Sequence, residues 1–279
     1  MRVVVAGASG LIGAQLGRAL RERGDELVAL PRFRSAPWSL EGADAVVNLA
    51  GASVGGKRWT PAYKKEIEES RVLTTRALVE AIAKAPRKPR VLVNASAVGY
   101  YGGRGDEVLE EVAAPGADFL ANVGRQWEAE AQRASVRSVQ VRTGIVLSAK
   151  GGALEKMLPP FKAFVGGPIG SGKQWFPWIH LDDEVAAILW CIDRDLTGAV
   201  NLVSPGIVTM KEFAKALGRA LHRPSWAPVP AAPLRVLLGE FASALLEGQR
   251  AVPRKLLDSG FRFRFQDVDS ALRDLFPSA

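Results

Sequence analysis

The sequence predicts an α/β fold, with a doubly wound parallel sheet followed by a smaller C-terminal region. Three observations carry that prediction. Apolar, β-branched runs alternate with helix-period segments over roughly the first 140 residues. A glycine triplet occupies the first strand-to-helix junction, and the alternation stops beyond Ser148.

The elements follow in order. Arg2–Ala6 ("RVVVA") is a continuous apolar run, the pattern of a strand covered on both faces. Residues 11–23 place Leu11, Ile12, Leu16 and Leu20 on one helical face, and Gly24 stops that helix. Strands are expected at 26–30 and 44–49, then a long helix at 61–85 bearing Ile67, Leu78, Val79 and Ile82. A strand at 90–95, a helix at 118–134 and a strand at 138–142 complete the alternation, which places helices on both faces of a parallel sheet.

Beyond Ser148 come a glycine-rich stretch at 166–172, a helix at about 182–193 and a strand at 199–203. A helix at 210–221, a proline-rich linker ("RPSWAPVPAAP"), a helix at 234–246 and a short "GFRFRF" strand follow. The expected division is 1–147 and 148–279, with the elements of 181–204 returning to the first part.

Composition excludes several classes. No apolar run approaches the ~18 residues of a membrane-spanning helix, and glycine interrupts the N-terminal apolar run too early for a signal peptide. Cys191 is the single cysteine, so no internal disulfide is possible and a reducing cytoplasm is the expected compartment. Two histidines and one cysteine make a zinc or dithiol site untenable, and no metal is expected. The net charge of +8 is spread along the chain and often interleaved with glutamate, as in "AYKKEIEESR". No nucleic-acid partner is therefore expected.

The glycine triplet carries the chemistry. In "VVVAGASGLIG", Gly7, Gly10 and Gly13 bound a turn in which Gly7 permits the tight bend and Gly10 a close approach of backbone to a pyrophosphate. Gly13 permits close helix packing, and the helix start supplies free N–H groups. Gly7, Ala8, Ser9, Gly10, Leu11, Ile12 and Gly13 are the expected cofactor contacts. A carboxylate for a ribose 2′-hydroxyl should end the second strand; "VALPRFRS" offers Arg32 and Arg34 instead. Paired guanidinium bonds to a 2′-phosphate favour NADP over NAD.

A second glycine cluster, "GGPIGSGKQWF", also fits the spacing of a triphosphate-binding loop. Gln174 stands there where a magnesium-holding Ser or Thr is needed, so that match is set aside.

Together "AGASGLIG", "DAVVNLAG", "VLVNASAVGYYG", "VRTGIVLS" and "WIHLDDEVAAI" resemble the NAD(P)-dependent epimerase-like branch of the extended or atypical short-chain dehydrogenases/reductases. The C-terminal "PLRVLLGEFASALLEGQRAVPRKLLDSGFRFRF" resembles that branch's distinctive last segment. The resemblance implies a Rossmann-type doubly wound sheet for NADP and a smaller C-terminal substrate domain. It implies an oxidoreductase or epimerase-like activity on a small polar carbonyl or sugar-like substrate. It also allows a homodimer through the helices at 61–85 and 118–134.

By the same resemblance Leu49, Ala50 and Gly51 line the cofactor, Ser96 reaches the substrate carbonyl, and the glycines at 166–172 face the substrate. One departure matters. In "DFLANVGRQWEAEA", Leu120 and Gly124 stand where the family's catalytic Tyr and Lys belong, and neither exchanges protons. Tyr101, with Tyr100 behind it, is the candidate proton donor, and Arg71 the candidate cation beside a developing oxyanion. The blander readings are a strand-end cap for Ser96, loop packing for Tyr101 and a surface ion pair for Arg71. The competing function is a catalytically weak NADP-binding sensor.

Overall fold

The computed structural model describes residues 1–31 and 38–277. Six parallel strands form one sheet: β1 (Arg2–Ala6), β2 (Glu26–Ala29), β3 (Ala45–Asn48), β4 (Val91–Ala97), β6 (Arg137–Thr143) and β10 (Gly198–Leu202). Their spatial order is β2-β1-β3-β4-β6-β10. The chain grows outward from β1 to β2, then resumes on the other side at β3. The crevice for ligand therefore opens at the carboxyl ends of β1 and β3.

Both faces of the sheet are apolar, which accounts for unbroken strand runs such as Val3–Val5. Val3, Val5, Val47, Val93 and Val141 pack under α1 (Leu11–Glu22) and α5 (Leu181–Asp193). Val4, Val46 and Leu92 face the opposite way, toward Leu78 and Ile82 of α2 (Pro61–Lys84) and Ala131 of α3 (Phe119–Gln132). Thr60 caps α2 by accepting the Tyr63 N–H, with Pro61 at the first helical position.

The C-terminal region has its own core. α4 (Gly152–Lys162), α6 (Met210–Ala220) and α10 (Val268–Leu275) enclose Leu154, Phe161, Phe176, Phe213 and Leu272. Short ladders complete it: β7 (Ile145–Leu147) with β9 (Trp178–His180), and β8 (Trp175–Phe176) with β11 (Val208–Thr209). A further pair, β5 (Val108–Leu109) and β12 (Arg250–Ala251), ties the loop after β4 to the chain before α9 (Arg254–Asp258). Helix α5 and strand β10 rejoin the main sheet, β10 pairing with β6 from Gly198 to Leu202.

Two expectations need correction. The helix at 234–246 is broken into α7 (Ala231–Leu238) and α8 (Phe241–Leu246), because Gly239 turns at φ 62°. "GFRFRF" is no strand: Phe261, Phe263 and Phe265 are buried on an extended segment that has no ladder partner among the described residues. Its backbone is held instead by Asp183, which accepts the N–H groups of Arg264 and Phe265 at 2.8 and 3.0 Å. Helices α4 and α10 had no counterpart in the sequence reading. Pro159 and Pro160 lie within α4 and argue locally against it.

Candidate functional site

The glycines do what their spacing requires. Gly7 sits at φ 81°, and a β-carbon there would come within 2.8 Å of the Leu49 carbonyl carbon and oxygen. The loop after β1 therefore lies directly against the end of β3. At Gly13 a β-carbon would collide with the Gly7 carbonyl oxygen and Ala8 Cα, so only glycine lets α1 start this close to the loop. The Gly10 N–H donates to Gly7 O at 3.1 Å, and Gly10 caps α1 with no side chain. The first N–H groups of α1 are left free for a ligand.

A cleft of about 380 Å³ opens here, lined on one side by Gly7, Gly10, Leu11, Ile12, Gly13 and Leu49. The opposite wall is Gly144, Ile145, Val146, Gly152 and Ala153, none of which the sequence singled out for this role. That wall includes the start of α4, which also lacks a side-chain cap; Gly151 and Gly152 lie beside Leu11. Two uncapped helix starts thus border one cleft with no carboxylate among its described lining residues. Aligned N–H groups and helix dipoles make such a place favourable for phosphates. The legible signal was Gly144 in "VRTGIVLS" and the Gly151–Gly152 pair, but nothing in the sequence says which loop they face.

Ala8, Ser9, Ala50 and Gly51 flank the cleft without forming its walls. Arg32 and Arg34 lie outside the described residues. Gly51 rests on Arg71: a β-carbon there would stand 3.1 Å from the guanidinium carbon. Arg71 is half-buried and donates to Ile67 O at 2.9 Å and Ala52 O at 3.0 Å, with its guanidinium 5.2 Å from the Trp127 ring centre. Among the described residues it has no carboxylate within ion-pair distance, so the surface ion pair with Glu68 or Glu69 does not form. Burial lowers its pKa to about 10, which leaves it charged at neutral pH.

Ser96 and Tyr101 lie elsewhere. Ser96 Oγ donates to Glu128 Oε1 at 2.6 Å. Glu128 holds Arg142 by two bonds of 2.8 Å, and Arg142 donates to the Tyr101 hydroxyl at 2.9 Å. That hydroxyl donates to Asn201 Oδ1 at 2.7 Å. Tyr101 has no exposed surface, and burial pushes its pKa up to about 12 even with Arg142 beside it. This placement argues against Tyr101 as a proton donor, and it commits the Ser96 hydroxyl to Glu128. The two residues belong to one buried network joining β4, β6, β10 and α3. At Gly124, where the resemblance puts the family's lysine, a β-carbon would meet Tyr100 Cα and Cβ at 3.4 Å, so this turn of α3 lies beside the helical turn at Val98–Tyr101.

The second glycine cluster has a structural role. Gly166 O accepts the N–H groups of Trp226 and Ala227, and Gly170 N–H donates to Val229 O at 2.9 Å. Gln174 Nε2 reaches Leu245 O at 3.2 Å, so this loop props α8. In the loop after β3, Trp59 meets Phe119 edge-on and Phe241 at a tilt, at 5.0 and 5.5 Å between ring centres. The C-terminal helices thereby reach the loop that follows the cofactor strand. His180 is buried and caps α5 through Nδ1, which accepts the Asp182 N–H at 3.1 Å.

The comparisons with known proteins agree with this geometry. Residues 3–202 match the model of the NAD dependent epimerase/dehydratase family, and residues 229–275 match a domain of unknown function, DUF1731. The chain is similar to the chloroplastic SDR39U1 homolog of Arabidopsis thaliana, an epimerase family protein: 41% identity covers 98% of this chain and 86% of that protein. It is also similar to the crystal structure of human SDR39U1 with NADPH, at 36% identity and TM-score 0.94, covering all of both chains. A nucleoside-diphosphate sugar epimerase from Corynebacterium glutamicum is 33% identical with TM-score 0.76; the match covers 99% of this chain and 58% of that one. The alternating strands, the glycine turn at the β1–β3 crevice and these similarities lead to one conclusion: the chain belongs to the NAD dependent epimerase/dehydratase family.

Proposed function

We propose that this chain is an NADP(H)-dependent oxidoreductase or epimerase-like enzyme acting on a small polar carbonyl or sugar-like substrate. The observation that carries the reading is the carboxylate-free cleft between the uncapped starts of α1 and α4, beside Gly7 and Leu49. The human relative, solved with NADPH, supports the choice of cofactor. In this reading the turn at Gly7–Gly13 and the start of α4 hold the pyrophosphate, and Arg32 and Arg34 hold the 2′-phosphate. When bound, the nicotinamide supplies hydride chemistry. Arg71, beyond Gly51, stabilises negative charge developing on a substrate oxygen. Ser96, Glu128, Arg142 and Tyr101 brace the ends of β4 and β6 rather than exchange protons.

A second reading, a catalytically weak NADP-binding protein, is favoured by one specific observation: Tyr101 is buried, and Leu120 and Gly124 offer no acid or base. One experiment separates the two. The purified protein is incubated with NADPH and a panel of carbonyl compounds while absorbance of the reduced cofactor is followed. Turnover is expected, and Arg71→Gln should lower it roughly 100-fold with NADPH affinity unchanged. Tight NADPH binding without turnover across the panel supports the second reading.

A further inference from the structure

Away from the cofactor cleft, the end of α6 and the chain that follows it enclose an open depression of about 530 Å³. Lys215 and Arg219 lie on one face of the helix end, at the four-residue spacing that makes side chains neighbours, and His222 lines the depression from the turn just past it. Arg223 and Ser225 form the other side, and Gly218 lies beneath them: a β-carbon there would be 2.8 Å from Arg223 O.

The charge of this depression is poorly balanced. Asp269 pairs with Arg219 at 2.7 Å. Among the described residues no carboxylate lies within ion-pair distance of Lys215 or Arg223. Arg223 is also fixed in place, its guanidinium 4.5 Å from the Phe164 ring centre and its Nη1 donating to His222 O at 3.0 Å. An arginine stacked on an aromatic face presents its remaining donors as a rigid fork suited to oxyanions. Arg223 Nε and Ser225 Oγ are buried without a hydrogen-bond partner. Unpaired buried donors are uncommon, and a small shift of either side chain toward the depression would give them a partner there. His222, which lines the depression, and Phe164, which packs on Arg223, have positive φ, at 51° and 63°.

We infer that this depression is a second anion site, taking a phosphate group through Arg223, Lys215 and Ser225. Three of the last carbonyls of α6 are already taken, which weakens the negative pole at this helix end: Leu217 O by Leu221 N–H, Gly218 O by Arg223 N–H and Arg219 O by His222 N–H. Phe164 and Trp226, 54% and 67% exposed, stand beside it, so the phosphate could belong to a free molecule or to a lipid headgroup.

The test uses the full-length protein with NADPH already bound, so that the cofactor cleft does not compete, and without NADPH in parallel. Inorganic phosphate is titrated while the His222 imidazole and Trp226 indole resonances are followed, with chloride at matched ionic strength as control. Saturable shifts with phosphate alone are expected. A Lys215→Ala, Arg223→Gln variant should weaken the apparent affinity about tenfold or more, the scale of lost charge-assisted bonds. Vesicles of phosphatidylcholine with and without phosphatidic acid supply the other arm. A Trp226 blue shift only with phosphatidic acid assigns the phosphate to a lipid, and phosphate binding without it assigns a free molecule. Equal shifts with chloride, or identical phosphate binding by the folded variant, overturn the inference, as does silence in both arms.

Discussion

Glu184 lies wholly inside α5, with the Thr143 hydroxyl donating to one carboxyl oxygen at 2.7 Å and no hydrogen-bond partner for the other. Burial raises its pKa from 4.5 to about 8. Between those values the folded chain keeps a proton that the unfolded chain has lost. Stability should therefore fall as pH rises through that window, by up to ~1.4 kcal/mol per pH unit for the one proton, and level off above it. Glu184→Gln should flatten this slope, as urea unfolding across the same pH window would reveal; an unchanged slope would assign it to other groups. Tyr101→Phe makes a separate prediction. It leaves Arg142 and Asn201 each short of a partner and should cost about 1–3 kcal/mol, while NADPH affinity stays unchanged by calorimetry. A large loss of affinity would return Tyr101 to the cofactor site. At this scale the sequence was legible in part. Asn94, Ser96 and Arg142 stand out as polar residues in strands, but partners such as Glu128 and Asn201 lie 32 and 100 residues from Ser96 and Tyr101. Only the fold brings them together.

Elements were legible where periodicity and caps coincide. The strands of the sheet and helices α1, α2 and α3 follow from apolar period and from stops such as Gly24. The last segment failed for a physical reason: alternating Phe261, Phe263 and Phe265 have strand period, yet the Phe261 N–H goes to Leu256 O and the Arg264 and Phe265 N–H groups go to a carboxylate. Asp183, on α5, takes the place of a neighbouring strand by accepting the N–H groups of Arg264 and Phe265. Asp183→Ala would leave both donors unpaired, at about 1–3 kcal/mol each. The expected result is early hydrogen exchange at Arg264 and Phe265, with the sheet amides still protected. Uniform loss of protection would mean instead that this segment unfolds only with the whole chain. The break between α7 and α8 was missed because Gly239 sits within an apolar stretch that reads as one helix.

For the molecule as a whole, the main result is convergence. The start of α1 and the start of α4 are separated by about 140 residues of sheet-building chain, the span of one doubly wound unit, yet they border the same cleft. The first was legible from three glycines. The second was not, because its proline-bearing helix has no clear signal and its position depends on β7 pairing with β9. Compartment is a property that the family does not fix: one relative is named chloroplastic. No helix among the described residues is long and apolar enough to cross a membrane. In the function proposed above, this cleft takes the pyrophosphate of NADP(H), and Arg32 and Arg34 select the 2′-phosphate. Calorimetric titration with NADPH, NADH and 2′,5′-ADP tests it most directly. NADPH should bind saturably, NADH more weakly, and 2′,5′-ADP should displace NADPH; no heat with any of the three would mean that this cleft does not hold the cofactor.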